Sequence, residues 1–226
     1  MKPLILLEHI SKSYLSGDNQ VKALNDISLE IYPGEFISII GSSGSGKSTL
    51  MNILGCLDLP SEGSYFLDGI NPNTLSDQEL SKIRNQKIGF IFQSFNLIPS
   101  LTAAENVELQ LAYGGIEKKY RRKLALSALQ RVGLSSRVKH RPNQMSGGQQ
   151  QRVAIARAIA AAPPILFADE PTGNLDSHSS KEIMDILKQL HREGRTVILI
   201  THDPQIASQT QKRICIQDGQ IISQYS

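Results

Sequence analysis

The chain is poor in the features that mark several classes of protein. It carries only two cysteines, Cys56 and Cys215, in 226 residues. That excludes a secreted scaffold stapled by disulfides and fits a reducing cytosol. Charge of one sign is also lacking: 24 Lys and Arg face 21 Asp and Glu, a formal net charge of +3. A dedicated nucleic-acid binder concentrates basic residues on one face, so that class finds no support. No apolar run approaches the roughly 20 residues that span a bilayer. The most apolar stretch, Val153 to Ala168, is broken by Arg157 and by Pro163-Pro164. The N-terminal run from Met1 meets Glu8 too early to form the apolar core of a signal peptide. Internal repeats, low-complexity tracts and flexible linkers are missing too. The expectation is a soluble protein whose membrane role, if it has one, runs through a partner.

What is present points to one compact domain. Hydrophobic residues make up 40% of the chain, too many for disorder, and the length suits one sizeable core with room for an inserted subdomain. Ile27, Leu29 and Ile31 alternate with polar residues, as in a half-buried antiparallel strand, and Leu4 to Ile10 and Ser64 to Leu67 read similarly. Asp68-Gly69 marks a turn. Phe36 to Ile40, Ile165 to Ala168 and Thr196 to Ile200 are instead nearly continuous apolar runs, which suit a parallel sheet covered on both faces. Helices lie between them. Ile183, Ile186, Leu187 and Leu190 make an apolar stripe, with a capping box expected from Ser179 and Glu182 and a stop at Gly194. A second helix is expected from Lys118 to Val132, with Leu124, Ala125, Ala128, Leu129 and Val132 on one side and Gly133 as its stop. The basic run Lys118 to Lys123 reads as a solvated face. The section from about Ser94 to Gln144 is mostly helical.

Gly41-Ser42-Ser43-Gly44-Ser45-Gly46-Lys47-Ser48 satisfies G-x-x-x-x-G-K-[ST] at every fixed position, between an apolar strand and a helix beginning near Ser48-Thr49. Its glycines let backbone N–H groups approach an anion, and the helix N-terminus adds partial positive charge. Lys47 would place an ammonium on the β- and γ-phosphates, and the Ser48 hydroxyl would ligate Mg²⁺. A nucleoside triphosphate is the expected ligand.

The strand from Ile165 ends in Asp169 and Glu170. Alternation along a strand turns these carboxylates in different directions, so they can take separate roles. In a protein with a phosphate loop, Asp169 would help hold Mg²⁺ and Glu170 would polarise the attacking water. The strand from Thr196 leads into Thr201-His202-Asp203-Pro204. His202 there would bond a γ-phosphate oxygen or the catalytic water, or else cap the next helix. The segment alone does not decide between them.

Met145-Ser146-Gly147-Gly148-Gln149-Gln150-Gln151-Arg152 precedes an Ala-rich helix from Val153 to Ala162. A Ser-Gly-Gly turn opening a helix is a second anion site by the same physics as the first. With both motifs in order, the chain resembles the ATP-binding cassette (ABC) ATPases over essentially all its length. The resemblance implies an α/β fold: a P-loop NTPase core with a mostly parallel sheet, an N-terminal antiparallel β subdomain and an inserted α-helical subdomain. Residues 1–226 would form the nucleotide-binding domain, with the helical subdomain at about 94–160 carrying the signature motif.

The resemblance also implies roles for single residues. Tyr14 sits where an aromatic stacks on adenine, although a partly exposed strand tyrosine reads equally well. Gly41 to Thr49, namely Gly41, Ser42, Ser43, Gly44, Ser45, Gly46, Lys47, Ser48 and Thr49, match the Walker A loop. Gln93 matches the Q-loop glutamine that reaches Mg²⁺ and the attacking water. Ser146, Gly147, Gly148 and Gln149 match the signature, Asp169 and Glu170 match Walker B, Asn174 to Asp176 match the D-loop, and His202 matches the switch histidine. Met145 stands where Leu is usual, a swap of similar volume with little expected effect.

Asn52 to Asp58, Gly89 to Leu97 and Pro171 to Ser177 further resemble the MacB-type exporter group. That likeness implies an ATPase using ATP and Mg²⁺. It would form a homodimer on ATP binding, with the signature of one copy completing the site of the other. Its partner would be a transmembrane permease, as a subunit or a fused domain, with an extracytoplasmic adaptor also in view and no nucleic acid. Its place would be the cytoplasm, on the inner face of the membrane. Non-transport relatives fit less well: only about 100 residues separate the two motifs, without the sustained heptads of chromosome-maintenance members. A cell-division adaptor remains the alternative.

Overall fold

The computed structural model describes residues 2–16 and 19–225. Met1, at the head of the N-terminal run, lies outside them. Along the chain come β1 (Ile5–Ser16), β2 (Asn19–Ile31), β3 (Phe36–Ile40), α1 (Lys47–Leu54), β4 (Glu62–Leu67), α2 (Asp77–Lys87), β5 (Ile88–Phe92), α3 (Ala103–Tyr113) and α4 (Lys118–Arg131). They are followed by α5 (Gly147–Ile159), β6 (Ile165–Asp169), α6 (Ser177–Arg192), β7 (Thr196–Thr201), α7 (Pro204–Ala207), β8 (Lys212–Gln217) and β9 (Gln220–Tyr225). These divide into two compact units, Met1–Ser81 with Thr196–Ser226, and Lys82–Arg195.

In the first unit an antiparallel sheet has the order β2-β1-β4. Ile5 faces Ile31 and Leu67, and Leu7 faces Leu29 and Tyr65, so these apolar positions of the alternating pattern land on the same buried side. At the end of β4 the Asp68-Gly69 turn forms as expected, both residues having positive φ. The unit's other strands run β7-β3-β8-β9, the first three parallel and β9 antiparallel to β8. Ile37, Ile39, Val197, Ile198, Leu199 and Ile200 are buried without alternation, as central parallel strands require. Register aligns Ile40 with Thr201, so β3 and β7 release their chains at one edge.

The second unit pairs β5 parallel with β6, from Ile88 opposite Ile165 to Phe92 opposite Asp169. Helices α3, α4 and α5 pack on one another, and α5 also lies against β5 and α6. Helix α4 occupies its expected span, but Leu124 is 36% exposed while Ala125, Ala128, Leu129 and Val132 are buried. The buried stripe is narrower than expected, with Leu124 at its edge. The basic run at its start is largely exposed; Arg122 pairs with Glu108 at 2.8 Å, and Arg121 donates to the Ile116 carbonyl at 2.6 Å. Helix α6 corrects a second expectation. Its cap is Asp176, whose carboxylate accepts from Ser179 N at 2.9 Å and from Ser179 Oγ at 2.8 Å. A carboxylate outcompetes a hydroxyl for orphan N–H groups and starts the helix a turn earlier. Glu182 pairs instead with Arg152. Among the described residues no helix is long and apolar enough to cross a membrane.

Candidate nucleotide site

In the first unit, β3 runs into the glycine-rich loop and α1 leaves it at Lys47. Two glycines are required for different reasons. Gly46 caps α1 with φ 104, and a Cβ there would lie 2.7 Å from the Ala23 carbonyl oxygen. At Gly41 the limit is space: a Cβ would sit 2.2 Å from the Ile216 carbonyl oxygen on β8. The loop is closed by Ser45 N donating to the Ser42 carbonyl and Gly219 N donating to the Ser45 carbonyl, at 3.2 and 3.0 Å. Lys47 Nζ folds over the loop and donates to the carbonyls of Gly41 and Ser42 at 2.8 and 2.7 Å. Phosphate oxygens are stronger partners for an ammonium than neutral carbonyls, so an anion at the loop would draw the lysine from them.

The buried Ser45 hydroxyl has no hydrogen-bond partner among the described residues, while Ser42, Ser43, Gly44 and Ser48 are exposed at the loop's rim. A hollow of about 410 Å³ opens beside Gly44, Gly46, Lys47, Ser48 and Thr49. An exposed hydroxyl, a lysine on carbonyls and an orphaned buried hydroxyl together suit a polyphosphate.

Tyr14 projects from β1 and is 39% exposed. Its hydroxyl donates to Asp58 Oδ2 at 2.8 Å, and the Lys12 ammonium lies 5.0 Å from its ring centroid. Burial and then the Asp58 hydrogen bond hold its phenol above the ordinary tyrosine value, with a Thr49 hydrogen bond pulling the other way. Partial burial tends to raise the Asp58 carboxyl, but hydrogen bonds from Lys12, Tyr14 and Leu59 N outweigh it and hold the group below the ordinary aspartate value.

His202 follows β7, is exposed, and lines a hollow of about 390 Å³ together with Gly41, Ser42 and Cys215. The cap of α7 is Asp203, which accepts from Gln205 N at 2.7 Å and Ile206 N at 3.4 Å. His202 is therefore not the cap. It stands with the opening of the glycine-rich loop.

The second unit holds the remaining candidates. Asp169 closes β6, and Glu170 turns out of the strand with φ 44, a left-handed conformation that redirects its carboxylate. Gln93 follows β5, and its Nε2 donates to Asn174 Oδ1 at 3.2 Å. Ser146 caps α5 in a full capping box: its hydroxyl accepts from Gln149 N at 3.3 Å, and Gln149 Oε1 accepts from Ser146 N at 3.1 Å. The first-turn N–H groups of Gly147 and Gly148 have no intrahelical acceptor, so this end of α5 carries the partial positive charge expected of it. Met145 is buried just before it, as an apolar Leu would be.

Two residues of this region are given no role by the sequence. Arg157 reads in the sequence only as a break in an apolar run. Its guanidinium donates to the carbonyls of Phe95 and Asn96, successive left-handed residues just past Gln93. Burial holds its pKa below the ordinary arginine value. Gln151, fully buried, donates from Nε2 to the Pro171 carbonyl at 2.8 Å, one residue after Glu170. Helix α5 thus grips both the segment after Gln93 and the segment after Glu170. Polar side chains flanking the apolar run Val153 to Ala156 were the available signal.

A parallel β-strand feeding a phosphate-shaped loop at the head of a helix, within an α/β fold, defines the P-loop nucleoside triphosphatases. A family model described as ABC transporter matches residues 24–173. The chain belongs to the ABC transporter family and is an ATPase domain of the MacB type. It is 53% identical over 223 residues to the macrolide export ATP-binding/permease protein MacB of Photorhabdus laumondii, covering 99% of this chain and 34% of that protein. With MacB 1 of Yersinia pestis bv. Antiqua it shares 54% identity at the same coverage. The chain thus spans about a third of the length of the curated relatives it matches. Among solved structures it is similar to the ATP-binding cassette MJ0796, seen as a dimer in a post-hydrolysis state bound to ADP and Pi. That match has 48% identity, a TM-score of 0.90 and coverage of 98% of each chain. A second dimeric structure of MJ0796 matches at 50% identity and the same TM-score.

Proposed function

We propose that two copies of this domain close head-to-tail around two ATP molecules and that this closure drives a MacB-type permease in export or mechanotransmission. The amino end of α5 carries the reading. A chain that already has one anion-binding helix terminus presents a second, with an exposed serine and two glycine N–H groups in its first turn. Supplied from the partner copy, that second terminus would meet the γ-phosphate from the side opposite Lys47. Fixed dipoles aimed at charge that builds up in phosphoryl transfer lower its barrier. The interface would be two-fold and self-complementary, and the helical subdomain at about 94–160 would carry the signature to it. The likeness to a cassette solved as a dimer supports this arrangement.

Within each site, Gly41 to Thr49 bind the phosphates, Tyr14 receives the base, and Lys47 neutralises charge on the β- and γ-oxygens. Glu170 accepts the proton of the attacking water, and His202 bonds a γ-phosphate oxygen. Gln93 positions the water, its side-chain amide nitrogen being held by Asn174 and its side-chain oxygen Oε1 turned to the water. Ser48, Gln93 and Asp169 would hold Mg²⁺: hydroxyl, amide and carboxylate oxygens are the hard donors this ion takes, usually through one or two carboxylates only. When bound, the ion neutralises charge shared between the β- and γ-phosphates. Loss of the γ-phosphate removes the contact that both copies share, and the pair opens.

The domain would work at the cytoplasmic face of the membrane, with its permease fused or separate, an extracytoplasmic adaptor beyond it, and no nucleic acid. The macrolide export ATP-binding/permease relatives support that assignment. The test is the mass of the Glu170→Gln variant in solution. It should double on addition of Mg²⁺ and ATP, and a monomer at saturating ATP would refute the closed pair.

A further inference from the structure

Tyr14 is not simply a ring on a strand. Its hydroxyl reaches Asp58, which lies 44 residues away, past the end of α1. The other Asp58 oxygen accepts from Lys12 Nζ at 2.6 Å and from Leu59 N at 2.8 Å. The same ammonium donates to the Leu59 carbonyl at 2.7 Å and lies over the tyrosine ring. The cluster is closed: Lys12 touches both the carboxylate and the ring, and the carboxylate holds the hydroxyl. The Lys12 side chain is 13% exposed and that of Asp58 31%, so the pair is shielded enough to keep one geometry. A half-exposed tyrosine ordinarily samples several rotamers. This one is fixed at its hydroxyl by a carboxylate and across one face by a cation.

Pre-orientation matters to a stacking ligand. Ordering a free side chain on binding costs about two- to tenfold in affinity, and a ring already held escapes that loss. We propose that Asp58, together with Lys12, is a positioning residue that pre-orients Tyr14 to receive the nucleotide base, setting affinity for the nucleoside half of ATP apart from the phosphate loop. This rests on Tyr14 being the base platform.

Dissociation constants for ATP and for inorganic tripolyphosphate, which has no base, test it in the full chain. Asp58→Ala should weaken ATP about two- to tenfold, leave tripolyphosphate unchanged, and raise KM without lowering kcat. Tyr14→Phe, which removes only the hydroxyl, should do the same, and the double variant should be no weaker than either. If Asp58→Ala does not fold, Tyr14→Phe decides alone by the same two ligands. Equal losses for ATP and tripolyphosphate would make the cluster a prop for α1 and overturn the proposal. Unchanged ATP affinity in Asp58→Ala, with a clear loss in Tyr14→Ala, would also overturn it while leaving the platform intact. If Tyr14→Ala binds ATP as the wild type does, the platform reading itself fails.

Discussion

Gln93 and Asn174 hold each other by two hydrogen bonds: Gln93 Nε2 donates to Asn174 Oδ1 at 3.2 Å, and Asn174 Nδ2 donates to the Gln93 carbonyl at 3.3 Å. Gly173 leaves room for this. A Cβ at residue 173 would come within 2.7 Å of Gln93 Nε2. The obstacle is the far end of a flexible side chain, so the glutamine can swing aside at little cost to the fold. Under the proposed role of Gln93, Gly173→Ala should therefore keep its melting temperature while kcat falls by up to about 10²-fold, the loss that a displaced positioning group can bring. Steady-state ATPase assays beside thermal melts separate the two effects.

Replacement of Glu170 by Gln removes the carboxylate proposed to accept the proton and keeps the shape. ATP affinity should persist, and turnover should fall by about 10²–10⁴-fold, as for lost general-base catalysis. Normal steady-state turnover would take Glu170 out of the chemistry.

Lys47→Ala leaves the carbonyls of Gly41 and Ser42 without the ammonium they now bind. Both are near the loop's surface and can take water instead, so the domain should stay folded. Nucleotide binding, followed by equilibrium dialysis, should be lost.

Arg157→Met keeps the volume within α5 and strips two donors from the turn at Phe95 and Asn96. Hydrogen bonds from a charged donor contribute about 1.5–3 kcal/mol each at most, and these carbonyls can partly rehydrate. Urea unfolding should show a loss of about 1–3 kcal/mol. An unchanged midpoint would show that the turn holds itself.

The Asp176 carboxyl lies below the ordinary aspartate value because it accepts from the backbone and hydroxyl of Ser179. A depressed carboxyl gives its full contribution above the unfolded value and loses it as pH falls through the lower, folded one. Melting temperature in the wild type should thus decline below about pH 4. Asp176→Asn retains a cap without titration and should decline less steeply over that window.

The glycine-rich loop, the Asp-Glu strand end and the Ser-Gly-Gly turn are legible in the sequence because they are short and obey backbone rules that act within a few residues. Elements whose partners lie far along the chain are harder to read. Asp58 looks like an ordinary acidic residue until Lys12 and Tyr14 are brought to it, and Arg157 looks like an interruption until the turn after β5 arrives. At the start of α6 the spacing of Ser179 to Glu182 fits a capping box, whereas Asp176, a stronger acceptor three residues earlier, takes the role. The β8–β9 hairpin has a usable sign, Asp218-Gly219, whose positive φ values make its turn.

That hairpin reaches further than its position suggests. Ile216 presses its carbonyl against Gly41, and Gly219 donates to Ser45, so the last strands of the chain form a wall against which the phosphate loop is cast. A protein shortened after Gln211 would retain every recognisable motif and still lose the mould that shapes its nucleotide pocket. Sequence signatures alone would score such a fragment as competent.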